Sequence, residues 1–515
     1  MPQTLAPTIV VFVHGWSVTN TDTYGELPRR LRREASDAGL SLQLEDIFLG
    51  RYISFHDEVR LTDISRAFES AVQDQLGKIL KKGLRFVCIT HSTGGPVVRD
   101  WWNHYYQHPQ DQQNRRTCPM SHLIMLAPAN YGSALAQIGK ERIGRLKSWL
   151  ADVEPGRGVL DWLELGSAES WDLNAEWITS DGSQISPDGV FPFVLTGQSI
   201  DRAVYDQLNK YTGELGSDGV VRTAAAHLAG TYIGLVQEPP RPDPDNPYQY
   251  IAEKLEVGKY QRAPETALRV IAGKSHSGEK IGIMRSVKDS ADDKASQATL
   301  ESILSCIKVQ SVQDYKNLCQ QFAVETDGVQ KVELVEMVKH MLAQPTYFIH
   351  DRFSMLTFRL RDDKGYAITD FDLILTAGAD ADPNHLPNGF FVDRQQNKLN
   401  PEIVTFYFNR DVMKGADEVL DKKGGLLRAA LPGADMLGFK LIARPDSGFV
   451  RYLPCEIRAT RAMLESALHG NSTTLVDIRL RRIVNKEVFR TEPVSAPGKS
   501  VDFANIHPGS ENVPT

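Results

Sequence analysis

The run Ile9-Val10-Val11-Phe12-Val13 is apolar without interruption and ends at His14-Gly15, the pattern of a strand buried on both faces and so of a central parallel strand. From Thr62 the spacing changes. Ile64, Phe68, Ala71, Val72, Leu76, Ile79 and Leu80 recur every three or four positions until Gly83, which predicts an amphipathic helix. The apolar strand Phe86 to Ile89 follows at once, completing a β-α-β unit. The alternation continues through Leu123 to Leu126, Phe193 to Leu195 and Leu268 to Ile271, each followed by a loop rich in Gly, Pro, Ser or Asn. Residues 1–285 therefore read as a doubly wound α/β domain.

Inside it, between about 134 and 190, the strand signal gives way to helical settings that carry Leu146, Trp149, Leu160, Trp162, Trp171 and Trp177, a helical cap. Such an aromatic stripe is either core, packed for stability, or an acyl-binding lid with Trp149 and Trp162 as substrate contacts. The proline-rich stretch Glu238 to Pro247 reads as a stiff loop without chemistry. Residues 286–345 show helical spacing around Leu300 to Ile307, Tyr315 to Phe322 and Val332 to Leu342, a helical bridge. From Tyr347 the period becomes two: Ser354, Leu356, Phe358 and Leu360 alternate with Met355, Thr357 and Arg359. Phe371 to Leu375, Ile403 to Phe408, Phe439 to Ala443 and Leu475 to Ile483 continue the strand texture. Short strands and turn-rich connections predict an antiparallel β-sandwich over 346–490, followed by a polar tail at 491–515.

Composition narrows the function more than the fold. A chain of 515 residues exceeds one core, and 24% charged with 41% hydrophobic residues is ordinary for globular domains. A net charge of −7 gives no global attraction to nucleic acid or anionic lipid, so any contact with a membrane surface has to be local and apolar. Cys88, Cys118, Cys306, Cys319 and Cys455 are odd in number, widely spaced and without zinc spacing, which points to reduced thiols. No basic region precedes a long apolar run near the N-terminus, so synthesis in the cytoplasm without a cleavable signal is expected; a signal-independent export route leaves no trace in sequence.

The chemistry concentrates at Thr90-His91-Ser92-Thr93-Gly94-Gly95, between the Phe86 to Ile89 strand and a helix begun by Pro96. A strand that stops, exposes one serine and turns into a helix needs small residues around the serine, as in the G-x-S-x-G elbow. Here Thr90 takes the place of the first glycine. A serine hydroxyl needs a histidine base oriented by a carboxylate, and in this kind of domain the chain order is serine, acid, histidine. Asp218 in Gly216-Ser217-Asp218-Gly219 and His276 in Lys274-Ser275-His276-Ser277 satisfy that order, both on loops at the carboxyl ends of strands. Asp201 competes for the acid role. His91 adjoins the serine but points away from it on a sharp turn, His14 shapes the first loop, and His227 lies in an Ala-rich run too close to Asp218. The N–H groups of Trp16 and Thr93 are the expected oxyanion donors.

Val13-His14-Gly15-Trp16, the Thr90 to Gly95 elbow, Ala127-Pro128-Ala129-Asn130-Tyr131-Gly132-Ser133 and Ser217-Asp218-Gly219-Val220-Val221 together resemble the bacterial lipases and PGAP1-like esterases of the α/β-hydrolase superfamily. Some type VI secretion lipase effectors look similar, including an added β-rich domain. The resemblance covers about residues 8 to 285 and implies ester hydrolysis through an acyl-enzyme, with lipase or phospholipase as the substrate class. It departs at Thr90 and in the long insertion between Asp218 and His276, which could supply a lid. Several such lipases hold a structural calcium near the histidine loop. Glu279 and Asp201 are nearby here, but no ligand cluster is evident, so no metal or cofactor is expected. The resemblance also implies a lipid or ester substrate and, for an effector, an inhibitory immunity protein, with no nucleic acid. General carboxylester, thioester or amide hydrolysis by the same triad stays open, as does a binding protein on an inactive hydrolase fold.

Overall fold

The computed structural model describes residues 7–14, 21–53, 58–108, 117–139, 156–200, 214–245, 250–290, 292–338 and 344–484. The apolar runs form one six-stranded sheet: β1 (Thr8–His14), β2 (Leu42–Phe48), β3 (Phe86–His91), β4 (Met120–Leu126), β5 (Phe191–Thr196) and a last strand at Ala267–Val270. The order, from that last strand, is β5, β4, β3, β1, β2. Every pairing in it is parallel. Both faces are covered, which is why Val10, Val11 and Phe12 are all fully buried in succession. One face packs on α1 (Leu27–Asp37), the other on α2 (Leu61–Leu80) and α3 (Gly94–Trp102). The cap contributes α4 (Arg157–Leu163) and α5 (Ala168–Thr179).

The two helices expected as a bridge, α6 (Gln297–Ile307) and α7 (Val312–Val332), lie on the sheet instead of spanning a gap. Leu300, Ile303, Tyr315, Leu318 and Phe322 join the same buried cluster as Val10, Phe12 and Ile89. The third expected helix, Val332 to Leu342, is not formed at its start. Helix α7 ends at Val332, and Val335–Val338 pairs antiparallel with Thr346–Ile349.

The β-rich unit holds the most informative departure from chain order. Strands β6 (Thr231–Gln237) and β7 (Leu255–Arg262) come from the insertion between Asp218 and His276. They do not form a lid. With the Ala267–Val270 strand as β8 and the Val335–Val338 hairpin as β9 and β10, the second unit's strands are β11 (Phe353–Asp362), β12 (Phe371–Ala377), β13 (Phe391–Gln396), β14 (Ile403–Asn409), β15 (Met436–Ala443), β16 (Cys455–Thr460) and β17 (Thr473–Leu480). Its larger sheet runs β13, β14, β11, β17, β6, β7, and its smaller sheet is β12, β15, β16. The smaller sheet is wholly antiparallel, whereas β17 runs parallel to both β11 and β6. Parallel neighbours need a crossover: residues 363–472 supply it between β11 and β17, and residues 238–472 between β6 and β17. The insertion thus ties the second unit into the middle of the first.

The period-two alternation of β11 divides its two faces. Phe353 and Met355 join the core of the α/β unit, while Phe358 and Leu360 join the interior of the sandwich. Among the described residues no helix is long and apolar enough to cross a membrane.

Candidate active site

Ser92 directly follows β3 with φ of 53°, a left-handed conformation that a non-glycine residue adopts only where its surroundings impose it. Those surroundings are hydrogen bonds on both sides. The Ser92 N–H donates to the Leu126 carbonyl at 3.0 Å, and its own carbonyl accepts from Gly95 at 3.2 Å and Ala129 at 3.3 Å. The missing first glycine of the elbow also has a physical account. A Cβ on Gly94 would lie 3.3 Å from the Thr90 Cβ, so the buried Thr90 side chain fits because Gly94 has none. Close approach at this crossing needs one glycine of the two.

The acid and base loops converge on that serine. His276 Nε2 lies 3.0 Å from Ser92 Oγ, and His276 Nδ1 lies 3.0 Å from Asp218 Oδ2. With Nδ1–H donating to the Asp218 carboxylate, the Nε2 lone pair is left to accept from the serine hydroxyl. The other carboxylate oxygen, Asp218 Oδ1, accepts from the backbone N–H groups of Val220 at 3.1 Å and Val221 at 2.8 Å. A backbone bond from His276 N–H to the Asp218 carbonyl, 2.9 Å, locks the two loops together. The base loop is set by Gly197, where a Cβ would sit 1.8 Å from the Lys274 carbonyl oxygen. His276 and Asp218 are fully buried.

Sequence rivals fall into structural places. His91 Nε2 contacts the His276 carbonyl at 3.0 Å, and burial together with the neighbouring imidazole pushes its pKa down to about 3, so it packs beneath the elbow as a neutral ring. His14 Nε2 contacts Asp46 at 2.8 Å and its ring stacks on Phe48. His227 Nδ1 meets the Asn471 carbonyl at 3.0 Å. Trp16, Trp149 and Asp201 lie outside the described residues. Thr93 sits at the N-terminal cap of α3, where backbone N–H groups lack intrahelical partners, next to the serine. Trp162 is buried in the core and does not line the space beside Ser92. That space, about 20 Å3, is walled by Leu160 and Leu163 of the cap, Leu135, Val220 and Val221. It is narrow and apolar. Glu279 is exposed and pairs with Arg285 at 3.3 Å. The five cysteines are free and buried, and burial raises the Cys118 thiol to about 12, which removes a thiolate nucleophile from consideration there.

Two polar networks that support the site have no motif in the sequence. Arg99 on α3 is buried and donates to Asn130 Oδ1 at 3.2 Å and Asn174 Oδ1 at 3.0 Å. Asn130 Nδ2 in turn reaches the Ala226 carbonyl at 2.7 Å, so the elbow helix, the cap and the segment after the acid share one scaffold. Burial lowers the Arg99 pKa to about 10. The second network holds the acid loop itself. Arg222 Nε and Nη2 donate to the two Glu214 carboxylate oxygens at 2.7 and 2.8 Å, and Nη2 also donates to Asp393 Oδ2 at 2.7 Å. Its guanidinium lies 4.1 Å from the centre of the Tyr407 ring, and the Tyr407 hydroxyl donates to the Leu215 carbonyl at 2.8 Å. Burial alone would lower the Arg222 pKa, but Glu214, then Tyr407 and Asp393, outweigh it and raise it. Asp393 and Tyr407 belong to β13 and β14, so the loop that carries Asp218 is built against the sandwich.

A strained serine at a strand-to-helix turn, a histidine and a buried carboxylate on later loops of a parallel sheet define a carboxylic ester hydrolase of the α/β-hydrolase fold. No protein-family profile and no curated protein sequence matches the chain. Among solved structures, the phospholipase PlaB from Legionella pneumophila is similar at 42% identity and TM-score 0.80, over 96% of this chain and 97% of that one. The same enzyme in complex with thio-NAD gives the same identity, coverage and TM-score. The chain belongs to the PlaB phospholipase family.

Proposed function

We propose that this protein hydrolyses the acyl esters of phospholipids through an acyl-enzyme on Ser92. The observation that carries the reading is the pair of 3.0 Å contacts that align Ser92, His276 and Asp218. His276 Nε2 takes the hydroxyl proton as Ser92 Oγ attacks the ester carbonyl, and the Asp218 carboxylate stabilises the imidazolium that forms. The Thr93 N–H is a donor to the oxyanion of the tetrahedral intermediate. The imidazolium returns the proton to the departing alkoxide of the lysophospholipid. Water, deprotonated by the same Nε2, then releases the fatty acid. Leu160, Leu163 and Val220 line an apolar approach to Ser92 that suits an acyl chain.

Turnover on bilayers requires contact with a membrane surface, and co-sedimentation of a Ser92→Ala variant with phospholipid vesicles measures that contact apart from catalysis. Because a related enzyme was solved with thio-NAD, a nicotinamide dinucleotide is the first small molecule to test for an effect on rate. The defining experiment is product analysis on defined phospholipid vesicles. Release of fatty acid with lysophospholipid supports the reading; release of diacylglycerol or of free headgroup contradicts it.

A further inference from the structure

Two consecutive residues of the elbow hold the same residue of the base loop. Ser92 Oγ lies 3.0 Å from His276 Nε2, and His91 Nε2 lies 3.0 Å from the His276 carbonyl oxygen. A carbonyl oxygen only accepts, so the second contact is a hydrogen bond with the proton on His91 Nε2. Side chains on a regular strand alternate between its faces. Here the chain leaves β3 after His91 and turns at once, with Ser92 at φ of 53°, and the pair grips His276 by its ring and by its backbone. The two imidazoles also pack together, 4.8 Å between centres at 49°.

The rest of the base loop shows why that carbonyl matters. Up to Ser275 the chain is fixed by backbone partners. Ser199 N–H donates to the Lys274 carbonyl at 3.0 Å, Ser275 N–H to the Ile281 carbonyl at 2.9 Å, and Ile283 N–H to the Ser275 carbonyl at 2.9 Å. At His276 the supply changes. Asp218 takes the backbone N–H through its carbonyl at 2.9 Å and the ring Nδ1 through its carboxylate at 3.0 Å, both from the acid side. The His276 carbonyl is held from the elbow side by His91, and among the described residues no second donor reaches it. Burial and the neighbouring imidazole keep His91 neutral, so it donates without placing a second cation beside the imidazolium formed in turnover.

We infer that His91 is a positioning residue of the reaction: its Nε2–H holds the His276 carbonyl and sets the separation of the general base from the Ser92 hydroxyl. It acts through the backbone of His276, whereas Asp218 also orients the ring. The inference rests on the serine hydrolase assignment of Ser92, His276 and Asp218. A ring present only to fill space needs no donor at Nε2, and that difference separates positioning from packing.

Substitutions of different reach make the test. Gln places its amide nitrogen near the position of the histidine Nε2, Asn reaches only as far as Nδ1, and Phe keeps a ring without a donor. In the full-length protein, His91→Asn and His91→Phe are expected to lower kcat on a short soluble ester about 10- to 100-fold with KM within about twofold, the pattern of a misplaced catalytic group. His91→Gln is expected to return kcat to within about fivefold of wild type. Rates of fluorophosphonate labelling should follow kcat. Circular dichroism and urea midpoints establish folding, and the Asn and Gln pair decides the matter where the Phe variant is unfolded. Nitrogen NMR of protein carrying isotopically labelled histidine gives a readout independent of turnover: the resonances that vanish in His91→Gln should show the wild-type ring protonated at Nε2. Wild-type kcat in His91→Asn, equal losses in the Asn and Gln variants, an effect confined to KM, or a His91 proton on Nδ1 would each overturn the assignment. A wild-type protein without ester turnover or labelling would instead count against the hydrolase reaction itself, with the tautomer still reporting the bond.

Discussion

Replacing Arg222 by Met isolates the contribution of the sandwich to the catalytic loop. Arg222 is 2% exposed, and the side chains of its partners Glu214 and Asp393 are each 7% exposed. Removing the guanidinium leaves two carboxylates facing each other without a cation, and breaking a buried pair in this way costs about 3–5 kcal/mol. The cost has a recognisable pH signature. In the variant both carboxyl groups acquire folded-state pKa values above their unfolded ones, so the folded state binds more protons and stability is lost as pH rises above about 4. The deficit relative to wild type is therefore smaller at pH 5 than at pH 8. Catalysis suffers by a separate route, because the segment from Glu214 to Arg222 holds Asp218 through bonds such as Asp218 N–H to the Val221 carbonyl at 3.1 Å and Thr223 N–H to the Gly216 carbonyl at 2.9 Å. A displacement of about 1 Å in a catalytic group costs on the order of 100-fold in rate. Urea unfolding followed by tryptophan fluorescence, with kcat on a short soluble ester in the folded baseline, measures both. The combined Glu214→Gln, Arg222→Met, Asp393→Asn protein should recover most of the stability. A single Arg222→Met protein with the wild-type urea midpoint at pH 8 and the wild-type kcat would refute the reasoning.

Asp218→Asn should lower kcat by about 10^4-fold through loss of the imidazole's orientation, whereas Asp201→Asn should leave it within a few-fold; steady-state kinetics on the same ester separates the two. Buried His91, His122 and His227 have pKa values lowered by burial to about 3, 4 and 4. They take up protons more readily when unfolded, so the stability they contribute is complete above about pH 6.5 and falls through the window from 6.5 to 4, by up to about 1.4 kcal/mol per pH unit for each. His122→Asn should flatten that slope in urea melts run across the window. Gly197→Ala should give no soluble active enzyme, because its Cβ has no room beside the Lys274 carbonyl, and a normal yield of active protein would contradict the backbone approach described.

That Ser92, Asp218 and His276 come together was legible in sequence because each obeys local rules: each follows an apolar strand or a glycine-rich turn, and the parallel sheet brings such strand ends to one edge. The parallel sheet was legible for the same reason, since strands such as Val10 to Phe12 are buried on both faces. Sheet membership was not. Thr231 to Gln237 has strand texture, but whether it pairs with β5 or with a strand 243 residues later is decided by tertiary contacts that no window contains. The helix expected from Val332 to Leu342 failed where Val335 and Val338 found a strand partner in Ile349 and Thr346. Trp162 shows that an aromatic stripe does not tell core from contact surface. Arg99 and Arg222 gave a weaker signal, a basic residue among buried neighbours, that becomes meaningful only once Asn174 and Asp393 are seen beside them.

The most direct measurement is fluorophosphonate labelling of the full-length protein, with intact mass and peptide mapping alongside hydrolysis of phospholipid vesicles. One label per chain on Ser92, and loss of both label and fatty acid release in Ser92→Ala, is the outcome predicted. Labelling at another residue, or fatty acid release that persists in the folded Ser92→Ala protein, would contradict it.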